Sequence, residues 1–135
     1  MKILAIETSA KSVAAAVVEN GVPLASAYQN MGLTHSRTLM PLVDGMLSAA
    51  GLRVQDMDLL AAANGPGSFT GLRIGVSAAK GLAWAKSCPA AACPRWRLWR
   101  GRLRTFKDSS LEPWTPAVSR STTLCSAVRT AAFSA

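Results

Sequence analysis

Asn20-Gly21 is the feature that most restricts what this chain can fold into. A two-residue hairpin turn of the favoured kind needs positive φ at both central residues, and asparagine followed by glycine tolerates this best. The flanking residues agree. Val13 to Val18 is an apolar run with β-branched ends, and Val22 to Tyr28 follows as a returning strand. Upstream, Ile3-Leu4-Ala5-Ile6 is a short continuous apolar run, the pattern of a strand buried on both faces. The polar turn Thr8-Ser9-Ala10-Lys11 joins it to the second run. The chain therefore opens as a three-stranded antiparallel meander.

Helical spacing takes over after Tyr28. Thr34 or Ser36 is placed to cap a helix. Leu39, Leu42, Val43, Met46, Leu47 and Ala50 fall on one stripe, and Gly51 follows as a stop. Pro41 lacks an N–H and is expected to bend this helix near its start. Leu59 to Ala63 reads as a fourth, buried strand. Asn64 to Gly71 is a glycine-rich loop, with Thr70 expected to cap the next helix. That helix carries Leu72, Val76, Ala79 and Ala83 on one stripe, beside the small residues Gly71, Gly75 and Ala78. The order β-β-β-α-β-α fits an α/β fold, a mixed sheet with helices packed on it. It is the first part of a ribonuclease-H-like or actin-like ATPase domain, a class that would next require another strand.

Composition divides the chain. Half the residues are hydrophobic and 16% are charged, which excludes disorder throughout. No apolar run approaches the ~18 residues needed to span a bilayer, and Glu7 interrupts the apolar start that a signal peptide would need. The net charge is +8. Residues 1–86 hold seven Lys/Arg and five Asp/Glu, a net of +2; residues 87–135 hold eight and two, a net of +6. Nine of the ten glycines lie at or before Gly81, whereas all three cysteines lie after Lys86.

Two places could carry chemistry, and each has a plainer reading. Glu7-Thr8-Ser9 follows the first strand, where an actin-like fold turns an acid and hydroxyls toward nucleotide phosphates and their metal. The plainer reading is a strand end with a Thr/Ser turn. The loop of Gly65, Gly67, Ser68 and Arg73 opens a helix, where backbone N–H groups can hold an anion. It is not a Walker A loop, since no Lys-Ser/Thr follows the glycine. A structural turn that sets helix against sheet is the preferred reading on the residues alone. His35 is the only histidine, and Leu39 stands four residues on, where a metal-binding helix would place a second ligand. No metal site is expected, and there is no nucleophile-elbow motif.

Four segments in order carry a resemblance: Ile3 to Ser9, His35 to Pro41, Gly65 to Gly75, and Ala79 to Ala83. They resemble the TsaB (YeaZ) family, the dimerisation subunit of bacterial tRNA threonylcarbamoyladenosine synthesis, over residues 1 to about 86. The resemblance implies the N-terminal subdomain of an actin-like ATPase fold and a non-catalytic scaffold supporting TsaD. TsaD transfers the threonylcarbamoyl group to adenosine 37 of tRNA. The partners implied are TsaD in a heterodimer and TsaE through the complex, with a homodimer when alone. Contact with tRNA would come only through the complex, in the cytoplasm and away from membranes. No cofactor is required, though weak ATP and Mg²⁺ binding is compatible with the fold. In the family the first two helices build the subunit interface. Here that points to His35, Leu39, Leu42, Val43 and Met46, and to Leu72, Val76 and Ala79. The old glycoprotease label implies no protease activity.

After Lys86 the resemblance stops, and residues 87–135 read as a basic, irregular tail. The genetic code offers a reason. Permitted codons for Lys86 to Trp99, regrouped by one base, read Glu-Leu-Pro-Cys-Cys-Gly-Val-Ser-Thr-Leu-Glu-Ala-Met, which resembles the missing family segment. Pro113 to Ser126 regroups in the same frame to another family-like stretch. The expectation is a truncated scaffold followed by text translated out of frame. Two other readings compete: an actin-like nucleotide-binding ATPase or kinase fragment, and an RNA-binding module acting through the basic tail and its tryptophans.

Overall fold

The computed structural model describes residues 1–30, 32 and 34–94. Elements follow in the order β1 (Lys2–Glu7), β2 (Val13–Glu19), β3 (Val22–Gln29), α1 (His35–Ala49), a 3-10 turn (Val54–Asp56), β4 (Leu59–Ala63), α2 (Phe69–Lys86) and β5 (Ala90–Cys93). They form one five-stranded sheet in the order β3-β2-β1-β4-β5. β1 pairs antiparallel with β2, and β2 with β3. β4 runs parallel to β1, and β5 parallel to β4. The meander and the helical alternation expected from the sequence are both present.

The opening hairpin closes as its residues require. Asn20 has φ 50° and Gly21 has φ 88°, which sets Glu19 opposite Val22. A bulge between Val17 and Val18 shifts the register partway along. β1 is central and buried on both faces. Leu4 and Ile6 point to the helical side, where they join Val13, Ala15, Val17, Leu60 and Ala62 beneath Leu39, Val43, Met46, Leu47, Ala79 and Ala83. Ile3 and Ala5 join Val18, Leu59, Ala61, Ala63 and Cys93 in a second buried cluster, to which the described helices contribute nothing.

Both helices end in the same backbone lock. At the end of α1, Gly51 has φ 65°, its N–H donates to the Ser48 carbonyl (3.1 Å), and the Leu52 N–H donates to that of Leu47 (2.9 Å). At the end of α2, Ser87 takes the same left-handed position (φ 58°), with Ser87 N–H on the Trp84 carbonyl and Cys88 N–H on that of Ala83 (3.1 and 3.0 Å). Paired bonds of this kind satisfy the last carbonyls of a helix. At the α1 start, Thr34 is the cap residue but makes no side-chain bond to the backbone. Pro41 lies inside the helix, where the Arg37 carbonyl loses the donor that a non-proline residue would supply.

Two expectations need correction. α2 begins at Phe69 and is capped by Ser68, not Thr70: the Ser68 hydroxyl accepts the Gly71 N–H (3.3 Å). The capping residue lies two positions earlier because the helix starts before Thr70. Second, the sheet does not stop at Lys86. Ala90–Cys93 adds a parallel strand to β4, with the Leu60 N–H on the Pro89 carbonyl and the Asn64 N–H on the Cys93 carbonyl (both 3.1 Å). A run of alanines has low strand propensity, but pairing along a buried neighbour overrides it. The rest of the tail lies outside the described residues.

Candidate functional site: the β1–α2 junction and the outer face of the helices

The turn after β1 and the glycines of α2 meet backbone to backbone. Gly67, Gly71 and Gly75 recur every four residues and so lie along one line. A Cβ on Gly67 would collide with the Ser9 carbonyl oxygen, one on Gly71 with the Thr8 carbonyl oxygen, and one on Gly75 with the Thr8 hydroxyl. Hydrogen bonds hold the contact. The Thr8 hydroxyl donates to the Gly71 carbonyl (2.8 Å), the Ser68 N–H donates to the Ser9 carbonyl (2.8 Å), and the Ser9 N–H donates to Glu7 Oε1 (2.6 Å). His35 ties the start of α1 to the same turn: its Nε2 donates to the Ala10 carbonyl (2.9 Å).

The nucleotide-facing residues predicted from the sequence are thus mostly brought together, but as a clasp. Glu7, Thr8 and Ser9 are buried, and Gly67 and Ser68 lie against them. Gly65 is held near Leu72, with φ 111°. Arg73 belongs elsewhere, on the outer face of the helices, stacked 4.1 Å from the Phe69 ring centroid. Several groups that could meet an anion at this junction are engaged within the chain. The Ser68 N–H is taken by Ser9, the Gly71 N–H by the Ser68 hydroxyl, and the space beside the glycines by the chain's own backbone. Glu7 Oε2 and Ser9 Oγ are buried without a partner. No group of three His, Cys, Asp or Glu stands together among the described residues.

The helix residues expected at a subunit interface divide as well. Leu39, Val43, Met46 and Ala79 are buried in the chain's own core, so they offer little surface to a partner. The cause is amphipathicity: the strongest apolar stripe of each helix is the one that packs on the sheet. Leu42 and Val76 pack partly against that core, Leu72 is half-buried, and His35 is occupied by Ala10. The surface that remains is the opposite side of both helices.

That outer face is apolar at several points. Trp84 is 86% exposed, Phe69 68% and Met40 42%. A groove of about 350 Å³ runs between the helices, lined by Leu39, Met40, Ile74 and Ala78, with Ser36, Arg73 and Ser77 at its edge. Gly45 and Gly81 lie inside the helices, and a Cβ added at either would meet nothing within 4 Å. A glycine there costs about 1 kcal/mol relative to alanine, and no contact within the described chain requires it. Sequence reasoning passed over Met40, Phe69, Trp84, Gly45 and Gly81 because they lie off the apolar stripe. The exposed tryptophan and the two interior glycines were the available signal.

Known proteins share this arrangement. A family profile described as "TsaD: tRNA N6-adenosine threonylcarbamoyltransferase" matches residues 29–96. The tRNA threonylcarbamoyladenosine biosynthesis protein TsaB of Bacillus subtilis is 38% identical over 92 residues, covering 68% of this chain and 40% of that protein. TsaB of Escherichia coli is 36% identical over 89 residues, covering 66% and 38%. A tRNA N6-adenosine threonylcarbamoyltransferase of Sorangium cellulosum is 37% identical over 105 residues, covering 66% and 30%. The solved structure of YeaZ from Pseudomonas aeruginosa superposes with a TM-score of 0.65 at 32% identity, covering 75% of this chain and 49% of that one. The chain therefore spans about 40% of the length of the first two relatives.

Proposed function

The chain belongs to the TsaB/YeaZ family, and from that premise we propose that it is a non-catalytic scaffold in tRNA threonylcarbamoyladenosine biosynthesis. Its partner is TsaD, docked on the outer face of α1 and α2; TsaE and tRNA are met only through the complex, in the cytoplasm. The observation that carries the proposal is that face: Met40, Phe69 and Trp84 exposed beside a groove, with Gly45 and Gly81 open to a close approach. Exposed apolar surface of this kind marks a contact site. Among the described residues no helix is long and apolar enough to cross a membrane. The competing reading, a nucleotide-hydrolysing fragment, gains nothing from a β1–α2 junction filled by its own backbone.

Co-expression with the TsaD of the same organism tests the proposal. Co-purification of the two chains is expected, and its absence at every salt concentration would sink the scaffold role. Titration calorimetry with ATP and Mg²⁺ tests the competitor, for which tight binding with hydrolysis by the isolated chain is required. The proposal includes a one-base change of reading frame near Lys86, supported by the family-like text that regrouped codons yield. The DNA across codons 84–90 decides this point. If it cannot encode the regrouped segment, residues 87–135 are a genuine tail, and deleting them then tests the RNA-binding reading.

A further inference from the structure

The face of the sheet turned away from both helices is buried, yet no described helix lies over it. Ile3, Ala5, Ala16 and Ala61 are each 0% exposed. Side chains on a bare sheet face stay partly open to water. α1 and α2 do not supply the cover, since they pack on the opposite face with Leu4, Ile6 and Leu60. Burial in a lone chain has to come from that chain. The floor also has a particular shape. Ala16 stands opposite Ala5, Ala5 beside Ala61, and Ala61 beside Ala91, so one row of four alanines crosses β2, β1, β4 and β5. Val18, Ile3 and Leu59 form a taller row along one side of it. A trough of small residues is filled to native density only by bulky side chains.

The chain leaves the sheet at the rim of this face. Cys93 is buried in the same cluster, Pro94 follows it, and residues 95–135 come next. Just beyond Pro94, Trp96, Trp99, Leu103 and Phe106 recur at spacings of three, four and three, which places them on one side of a helix. Arg97 and Arg104 fall on the other side. A helix over residues 95–107 is about 20 Å long, and four strands span about 14 Å, so the segment reaches across the trough. We propose that residues 95–107 are the cover, a helix that seats Trp96, Trp99, Leu103 and Phe106 on the alanine row. Text read out of frame is unselected, but filling a core needs only an apolar pattern of about the right volume. The inference uses the side of the sheet opposite the docking face and goes beyond the scaffold reading. It gives the chain a closed core although it spans about 40% of the length of its relatives.

The test uses the full chain carrying Trp84→Phe and Trp114→Phe, so that only Trp96 and Trp99 fluoresce. Their emission is expected to be blue-shifted from that of the urea-unfolded chain and shielded from acrylamide, at every protein concentration. Solvent-like emission with full quenching in the folded chain overturns the inference. Shielding that grows with concentration means that a second copy covers the face, and overturns it too. In the same background, Trp99→Asp is expected to lower the urea midpoint by about 1 M or more and to raise binding of an apolar dye. Arg97→Asp, off the stripe, should change neither. An unchanged midpoint for Trp99→Asp sinks the inference; if that variant does not fold, the emission of its parent decides alone. If single-stranded RNA quenches the folded parent, the two tryptophans are free to stack on bases, and the segment is a nucleic-acid surface instead of a cover. None of these readouts involves TsaD, so a failure here leaves the scaffold role standing, and a failed co-purification leaves this inference standing.

Discussion

Glycines in this chain do opposite things at positions that look alike in the sequence. Gly71 sits against the Thr8 carbonyl, whereas Gly45 looks into open space. Gly71→Ala must push two backbones apart and is expected to lose about 1–3 kcal/mol. Gly45→Ala meets nothing and should gain about 0.5–1 kcal/mol through helix propensity. Urea unfolding of the two variants checks both signs, and equal effects would refute the clasp. The motif around Gly67, Gly71 and Gly75 was visible as a glycine-rich helix opening, and the preferred structural reading of it agrees with the geometry. Its partner was not legible, because Thr8 and Ser9 lie about sixty residues upstream and only the parallel pairing of β1 with β4 brings them alongside. Arg73 shows the converse limit. Four residues from Phe69 on a helix, its side chain turns outward to the ring and away from the loop that suggested its role.

Among the elements, those with strong periodicity were readable and the one without it was not. The hairpin at Asn20-Gly21, the stripe of α1 and the buried run of β4 all stood out because local pattern and tertiary environment demand the same residues. β5 did not, since Ala90, Ala91 and Ala92 carry no strand preference and take their conformation from the exposed edge of β4. The lock that precedes it has a measurable weakness. Ser87 holds a left-handed conformation that disfavours a residue with a Cβ by about 1–2 kcal/mol. Ser87→Gly is therefore expected to raise stability by about 1 kcal/mol, seen as a higher denaturation midpoint with an unchanged slope. A loss would mean that the Ser87 side chain makes a contact that outweighs its strain.

For the molecule as a whole, the sheet and the two helices form a layered unit with one helical side turned outward. Trp84 belongs to that side and buries little of itself, so Trp84→Ser should change unfolding stability by no more than about 0.5 kcal/mol. Under the proposed scaffold role the same variant is expected to weaken capture of TsaD in a pull-down; full capture would remove Trp84 from the proposed docking face. The family and the broad fold could be read from the sequence because four segments keep their order and spacing. The proposed docking surface could not, because the residues with the clearest helical signal are the ones the core consumes. The strand order has one more consequence, which concerns time. β1 is flanked by β2 on one side and β4 on the other, so none of its pairing is exposed at an edge. Its amides can exchange with solvent only when the sheet opens across its middle, while those of the four-residue β5 need only local fraying. Transferred to heavy water, the molecule should take up deuterium from its rims inward, with Leu4, Ala5 and Ile6 among the last to label.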